Sequence, residues 1–144
     1  MVLTDVAGNV TTTSSASAFT VDNTAPVASA VTFLDGSSGT GPFKSGTSVT
    51  MSVTSGEILS VAPVVTFSGA GTPTVTLTGN GASWTGTVAN LTGNGAVTYM
   101  MVLTDVAGNV TTTSSASAFT VDNTAPTASA VTCLLYTSPS PRDS

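Results

Sequence analysis

Any chemistry in this chain has to come from oxygen-bearing side chains, because other reactive groups are scarce. The 144 residues include seven Asp and Glu, two Lys and Arg, no His and a single cysteine, Cys133. Without histidine there is no imidazole base to activate a nucleophile. Four oxygen-bearing residues, Asp22, Asn23, Glu57 and Asp105, are of types that suit a hard cation such as Ca²⁺. We therefore predict that the chain is not an enzyme. Whether these four side chains lie close enough to share a cation depends on the elements that carry them.

The chain repeats itself with a period of 100 residues. Residues 1–32 match residues 101–132 at every position except one, where Val27 corresponds to Thr127. A unit of this length is too long for a solenoid repeat and close to the size of an independent domain, which predicts a tandem array. The tail, CLLYTSPSPRDS, breaks the repeat and resembles translated sequencing-adapter read-through. We expect the last two strands of a preceding repeat (1–23), one complete domain (24–123), the first strand of the next repeat (124–132) and a non-native tail (133–144).

Alternation of apolar and polar residues predicts β-strands throughout the complete domain. Val49, Met51 and Val53 are separated by Thr and Ser, as in a sheet with one buried face. Pairs such as Asn80-Gly81 are typical of tight turns between strands. The predicted strands are residues 28–33, 48–54, 61–67, 74–78, 83–91, a strand that turns Val97, Tyr99, Met101 and Leu103 inward, and residues 110–121.

This pattern predicts an all-β fold, an immunoglobulin-like (Ig-like) antiparallel β-sandwich of about seven strands. The cysteine pair of antibody domains is missing from the repeat. Tyr99 is open to two interpretations, a tyrosine-corner residue of the broader fold or a core aromatic residue. Trp84 is predicted to be a core residue, and the alternative is a platform on which a sugar ring stacks.

Three motifs make the chain resemble a known family. Residues 104–109 read TDVAGN, residues 119–126 read FTVDNTAP, and residues 53–57 read VTSGE, where relatives more often have Phe-Ser-Glu-Pro. With these motifs the chain resembles the bacterial Ig-like domains that occur in tandem in large surface adhesins and other long secreted proteins. The resemblance covers residues 1–132 and implies a bacterial cell-surface or extracellular location. Adhesins of this kind stiffen the joints between domains with calcium.

The predicted topology brings the four oxygen-bearing residues together. In an Ig-like domain the chain enters at the end that carries the loop after the second strand and the loop between the last two strands. Asp22 and Asn23, which precede the complete domain, should therefore approach Glu57 and Asp105 in those loops. Such a group would hold Ca²⁺, with backbone and water oxygens as the remaining ligands. The alternative is a plain acidic joint in which Asp22 caps its own turn.

Charge and composition narrow the partners. With a net charge of −5 and Lys44 as the only base of the repeat, the chain offers no positive surface to nucleic acid or anionic lipid. The longest unbroken apolar run, residues 99–103, is far too short to span a membrane. We expect the partners to be neighbouring repeats and the function to be that of a spacer that extends and displays the distal binding region of an adhesin. The alternative is a carbohydrate-binding or linker module of a secreted multidomain enzyme.

The two copies also compete for one place in the fold. Residues 1–21 carry the same two strand sequences as residues 101–121, so either pair could complete the sandwich. The later pair is joined to the domain through the short Asn94-Gly95 turn, which closes a smaller loop at a lower cost in entropy. We therefore predict that the later pair lies in the sheets, with Leu103 and Phe119 in the core, and that the earlier pair lies outside them.

Overall fold

Ten β-strands make up the regular structure of the described residues. The structure is a computed structural model that describes residues 1–17, 19–36, 39–130 and 132, and the predicted tail, residues 133–144, lies outside them. The strands are β1 (Val2–Thr4), β2 (Val10–Thr12), β3 (Ala28–Asp35), β4 (Val49–Ser55), β5 (Val64–Gly69), β6 (Thr74–Val75), β7 (Thr78–Asn80), β8 (Ser83–Ala89), β9 (Gly95–Thr104) and β10 (Val110–Val121). Within these ranges no residue is helical.

Two antiparallel sheets enclose the core. β3, β4, β8 and β6 are neighbours in the first sheet, in which β7 also pairs with β8, and β10, β9 and β5 form the second. On β4, Val49, Met51 and Val53 are buried and the residues between them are more exposed. Met101 and Leu103 of β9 reach the same apolar cluster from the second sheet. The prediction of an all-β antiparallel sandwich is therefore confirmed.

Aromatic residues pack within this core. The Phe33 ring centroid lies 5.1 Å from that of Phe119 and 5.9 Å from that of Tyr99. Tyr99 is partly buried in this contact, as expected for a core aromatic residue, and burial raises the pKa of its hydroxyl. Trp84 is buried on β8, and its Nε1 donates a hydrogen bond to the Gly81 carbonyl at 3.2 Å. The prediction that Trp84 belongs to the core is confirmed.

In the complete domain, two predicted strands differ from the observed ones by more than one or two residues at an end. The strand predicted at residues 61–67 begins at Val64, directly after Pro63, because proline has no N–H to donate to a neighbouring strand. The strand predicted at residues 74–78 is divided into β6 and β7, which pair with β8 in one continuous register. Between them the Thr76 carbonyl passes so close to Gly86 that a Cβ atom there would lie 2.3 Å from the oxygen.

The N-terminal copy lies outside the sandwich, as predicted. Among the described residues β1 and β2 pair with each other, whereas β9 pairs with both β10 and β5. Leu103 is 0% exposed and Phe119 is 4% exposed, while their counterparts Leu3 and Phe19 are 52% and 81% exposed. Identical sequences therefore have two different environments within one chain.

This difference predicts opposite outcomes for a matched pair of substitutions. Leu103→Ala should lower the free energy of unfolding by about 2–5 kcal/mol, because it leaves a cavity in the core. Leu3→Ala, in the same local sequence, should change it by less than about 0.5 kcal/mol, because an exposed side chain loses little burial. Urea denaturation of the two variants and the parent measures both values. A comparable loss in both variants would contradict the assignment of the core to the later copy.

Candidate metal site

The loop between β9 and β10 is organised by one carboxylate. Asp105 Oδ1 accepts the backbone N–H of Asn109 at 2.8 Å, and Asp105 Oδ2 accepts Asn109 Nδ2 at 2.8 Å. Gly108 has φ +92°, a left-handed conformation that glycine adopts readily. Asn109 does not share this positive φ, and it serves the loop through its side chain and its N–H.

The same loop forms in the N-terminal copy without a sandwich around it. Asp5 Oδ1 accepts the backbone N–H of Asn9 at 2.9 Å, and Asp5 Oδ2 accepts Asn9 Nδ2 at 2.7 Å. Asp5 is exposed, whereas Asp105 is only 2% exposed. The six-residue motif therefore sets the loop conformation by itself, and the sandwich adds the burial.

Three of the four predicted ligands come together where the chain enters the sandwich. Oxygens of the Asp22, Glu57 and Asp105 carboxylates all lie within 4.8 Å of one another. We call these three residues the acidic group, and residues 22–26 the entry joint. Glu57 follows the end of β4 and Asp105 follows the end of β9, so adjacent ends of both sheets present a carboxylate to the entering chain. The fourth predicted ligand, Asn23, is exposed beside Asp22, and its participation stays a prediction.

Backbone contacts fix the loop that carries Glu57. The Gly56 N–H donates to the Val27 carbonyl at 2.8 Å, which ties the end of β4 to the residue after the entry joint. The Glu57 N–H donates to Ser55 Oγ at 3.3 Å, and Ser55 is buried. Pro26 lies fully buried beside Val27. The entering chain is therefore packed onto the sandwich before β3 begins.

Burial and hydrogen bonding act differently on the two loop carboxylates. The pKa of the Glu57 carboxyl is raised, mainly by loss of solvation and to a smaller extent by repulsion from Asp22 and Asp105. At Asp105, burial pushes the pKa upward, but hydrogen bonds from the Asn109 side chain and from the N–H groups of the loop outweigh it and hold that pKa below its ordinary value. Glu57 therefore takes up a proton before Asp105 as the pH falls.

Asn109 has a role at the joint that the sequence did not reveal. Its Nδ2 donates to the Asp22 carbonyl at 3.1 Å and to the Thr24 carbonyl at 3.2 Å, besides its bond to Asp105. One side-chain amide therefore connects the loop to the entry joint. The only signal in the sequence is that both copies contain this asparagine and the DNTAP segment, as Asn9 with residues 22–26 and Asn109 with residues 122–126. Turn formation alone accounts for an asparagine at this position.

The arrangement is suited to a divalent cation with oxygen ligands. Calcium lies about 2.3–2.6 Å from each ligand oxygen, so two ligands of one ion are at most about 5 Å apart. The separation of up to 4.8 Å within the acidic group falls inside that limit. Asp22 Oδ1 also accepts the Thr24 N–H at 3.0 Å, which is the capping role of the alternative interpretation. The second carboxylate oxygen of Asp22 stays available, so capping and cation binding are compatible.

Removing the charge of Glu57 should stabilise the chain in metal-free buffer at neutral pH. Because the pKa of Glu57 is raised on folding, the folded state holds this proton more tightly than the unfolded state. Stability is therefore lost as the pH rises through this pKa and is retained below the ordinary pKa range of glutamate. Glu57→Gln should unfold at a higher urea concentration than the parent at neutral pH, and the difference should vanish in acid. A difference independent of pH would show that charge is not its cause.

Comparison with known proteins gives no match. Neither a protein-family model, nor a curated protein, nor a solved structure matches this chain. In the residues that the structure describes, no helix has the length and apolar character needed to cross a membrane. What the chain does is inferred from its own repeat and from the geometry of its joint.

Proposed function

We propose that this chain is part of an array of Ig-like spacer repeats in a bacterial adhesin, at the cell surface or secreted, and that it extends and displays a distal binding region. Support for the Ig-like assignment comes from the strand order, because one sheet holds β3, β4, β8 and β6 and the other holds β10, β9 and β5. The TDVAGN and FTVDNTAP motifs and the 100-residue period support the tandem arrangement. The partners of each repeat are its two neighbours.

The attachment of the entry joint is the observation that carries this proposal. The chain arriving from the preceding repeat meets two carboxylates, the Asn109 amide and a buried proline site within a few residues. A flexible tether would leave such a segment free in solvent. A segment fastened in this way fixes the direction from which the preceding domain approaches, as an extended stalk requires.

Calcium at the acidic group would strengthen this attachment. Loss of solvation is the main cause of the raised pKa of Glu57, and a cation bound by Asp22, Glu57 and Asp105 would offset the repulsion between carboxylates that adds to it. It would also join the entry joint to the ends of both sheets at a single point. The chemistry that it supplies is electrostatic crosslinking, and no reaction is involved.

The alternative, a carbohydrate-binding module, now lacks its candidate residue. Trp84, considered as a stacking platform, is buried in the core with its Nε1 bonded to a backbone carbonyl. No exposed aromatic residue of the complete domain takes its place among those described. We therefore favour the spacer.

Calcium should raise the melting temperature of the chain through Glu57. At a free concentration a hundredfold above Kd, binding to the folded state alone adds about 2.7 kcal/mol of stability. Glu57→Gln should abolish this response, because Gln keeps the size of the side chain and removes one charged ligand. Asp5→Asn controls for the loss of one negative charge, because Asp5 lies in the N-terminal copy of the Asp105 loop without a neighbouring acidic group, and this variant should keep the response. Absence of any response to millimolar calcium in the parent would eliminate the metal from the proposal.

Chains with one, two and three complete repeats should lengthen by a constant increment. A stalk with fixed joints adds at least the length of β9, whose ten residues span about 33 Å at 3.3 Å per residue. Small-angle scattering in calcium measures the maximum dimension of each chain. Increments that shrink with each added repeat, as the square-root growth of a flexible chain predicts, would argue against the spacer function.

A further inference from the structure

The segment that leaves the sandwich is also bound to it, at the opposite end. Residues 122–126, which we call the exit joint, have the same sequence as the entry joint. The Asp122 N–H donates to the Phe43 carbonyl at 2.9 Å, continuing the pairing between residue 43 and β10. Phe43 precedes β4 and Glu57 of the acidic group follows it, so the two joints lie at opposite ends of this strand.

Asn123 is the centre of this attachment. Its Oδ1 accepts the Ser45 N–H at 2.6 Å, and its Nδ2 donates to the Gly93 carbonyl at 2.7 Å. Its backbone N–H donates to Asn94 Oδ1 at 2.6 Å, and Thr124 Oγ1 lies 3.3 Å from the same oxygen. One asparagine therefore uses its donor, its acceptor and its backbone to bind two loops of the domain that it leaves.

The entry joint makes a different set of contacts with the domain that it enters. There the Asp22 and Thr24 carbonyls accept Asn109 Nδ2, and Pro26 is buried. Asn23, the counterpart of Asn123, makes none of these contacts among the described residues, because residues 1–23 match residues 101–123 and bring with them no preceding counterparts of Ser45, Gly93 or Asn94. Each joint in this chain therefore displays one half of the contacts that a joint between two complete copies would have.

The two halves are compatible with each other. In the exit joint, the contacts with the preceding domain use the Asp N–H, the Asn side chain and N–H, and the Thr hydroxyl. In the entry joint, the contacts with the following domain use the Asp and Thr carbonyls and the proline ring. No atom is used twice. The Asp turn at the start of the segment also forms in both places, since the Asp Oδ1 to Thr N distance is 3.0 Å in the entry joint and 2.9 Å in the exit joint.

We propose that the DNTAP segment is a two-sided joint bound simultaneously by both repeats, so that this pole of the domain is a docking surface for the next copy of the same chain. The inference rests on the proposed array and deepens it. In this proposal protein contacts alone make the joint rigid, and calcium at the acidic group would add to them.

The shape and charge of the exit pole fit such an occupant. Lys44 and residues 122–126 line an open cleft of about 330 Å³. Pro126 is exposed here, whereas Pro26 is buried against the domain that follows it. A following copy placed as at the entry joint would bury Pro126 and bring its own Glu57 and Asp105 to Asp122. Lys44, the only base of the repeat, lines the same cleft as Asp122, the carboxylate that would join the acidic group of the incoming copy.

A tandem chain tests this directly. Residues 1–132 are followed by a second copy of residues 33–123, which continues the period and leaves out the single cysteine. Thr87→Cys in both complete domains places a spin label on an exposed position of β8 in each. Double electron–electron resonance in the presence of a chelator then gives the distribution of distances between the domains. We expect one narrow distribution in the parent.

Matched variants test whether the contacts of Asn123 with the preceding domain hold the joint rigid. Asn123→Ala should abolish the narrow distribution, and Asn23→Ala, in the same sequence but with no preceding sandwich to contact, should retain it. Asn94→Ala removes the acceptor of the Asn123 N–H on the preceding domain and should also abolish the narrow distribution. Melting curves confirm that each variant is folded. A broad distribution in the parent, or a narrow one in both Asn123→Ala and Asn94→Ala, would overturn the two-sided joint. A distribution that narrows only in calcium would overturn it too and leave the proposed spacer function standing.

Discussion

The structure depends on the burial of one face of β9, the central strand of the second sheet, in the core between the two sheets. Val97, Met101 and Leu103 are all 0% exposed, and burial of each such side chain contributes about 1.5–3 kcal/mol. The repeat has no cysteine, so no disulfide supports this core. Asn94 precedes β9 and Asp105 follows it, so the two ends of one buried strand carry the anchors of the two joints. Any displacement of β9 along its axis would shift both anchors together.

The duplicated sequence separates local from tertiary determinants within one molecule. Leu3 lies opposite Thr11 and Leu103 lies opposite Thr111, so the hairpin register is the same in both copies. β2 extends over three residues, however, and β10 over twelve. The Asp–Asn loop therefore sets the register, and packing against the rest of the domain supplies the length, as expected because an isolated two-stranded hairpin is marginally stable in water.

The sequence was informative wherever one face of a strand is buried. Alternation placed β4, β8, β9 and β10 and their inward residues, because burial on one side imposes a period of two. The prediction started β5 at residue 61, before Pro63, although the missing N–H of proline delays the strand to Val64. It also joined β6 to β7, which are separated where the Thr76 carbonyl lies close to Gly86. The convergence of Asp22, Glu57 and Asp105 followed from topology. The roles of Asn109 and Asn123 did not, because both contact backbone atoms distant in sequence, and a carbonyl partner carries no side-chain signature.

The placement of both sets of joint contacts within one period has a consequence for how such an array can vary. The partners of Asn123 at residues 45, 93 and 94 and the partner of the entry joint at Asn109 all lie between residues 24 and 123. In the proposed array, insertion or loss of one whole period would therefore add or remove a matched pair of half-joints, and every remaining boundary would keep the same contacts. If the proposed spacer function holds, recombination between copies would adjust the reach of the protein in whole units, and selection on length would leave folding undisturbed.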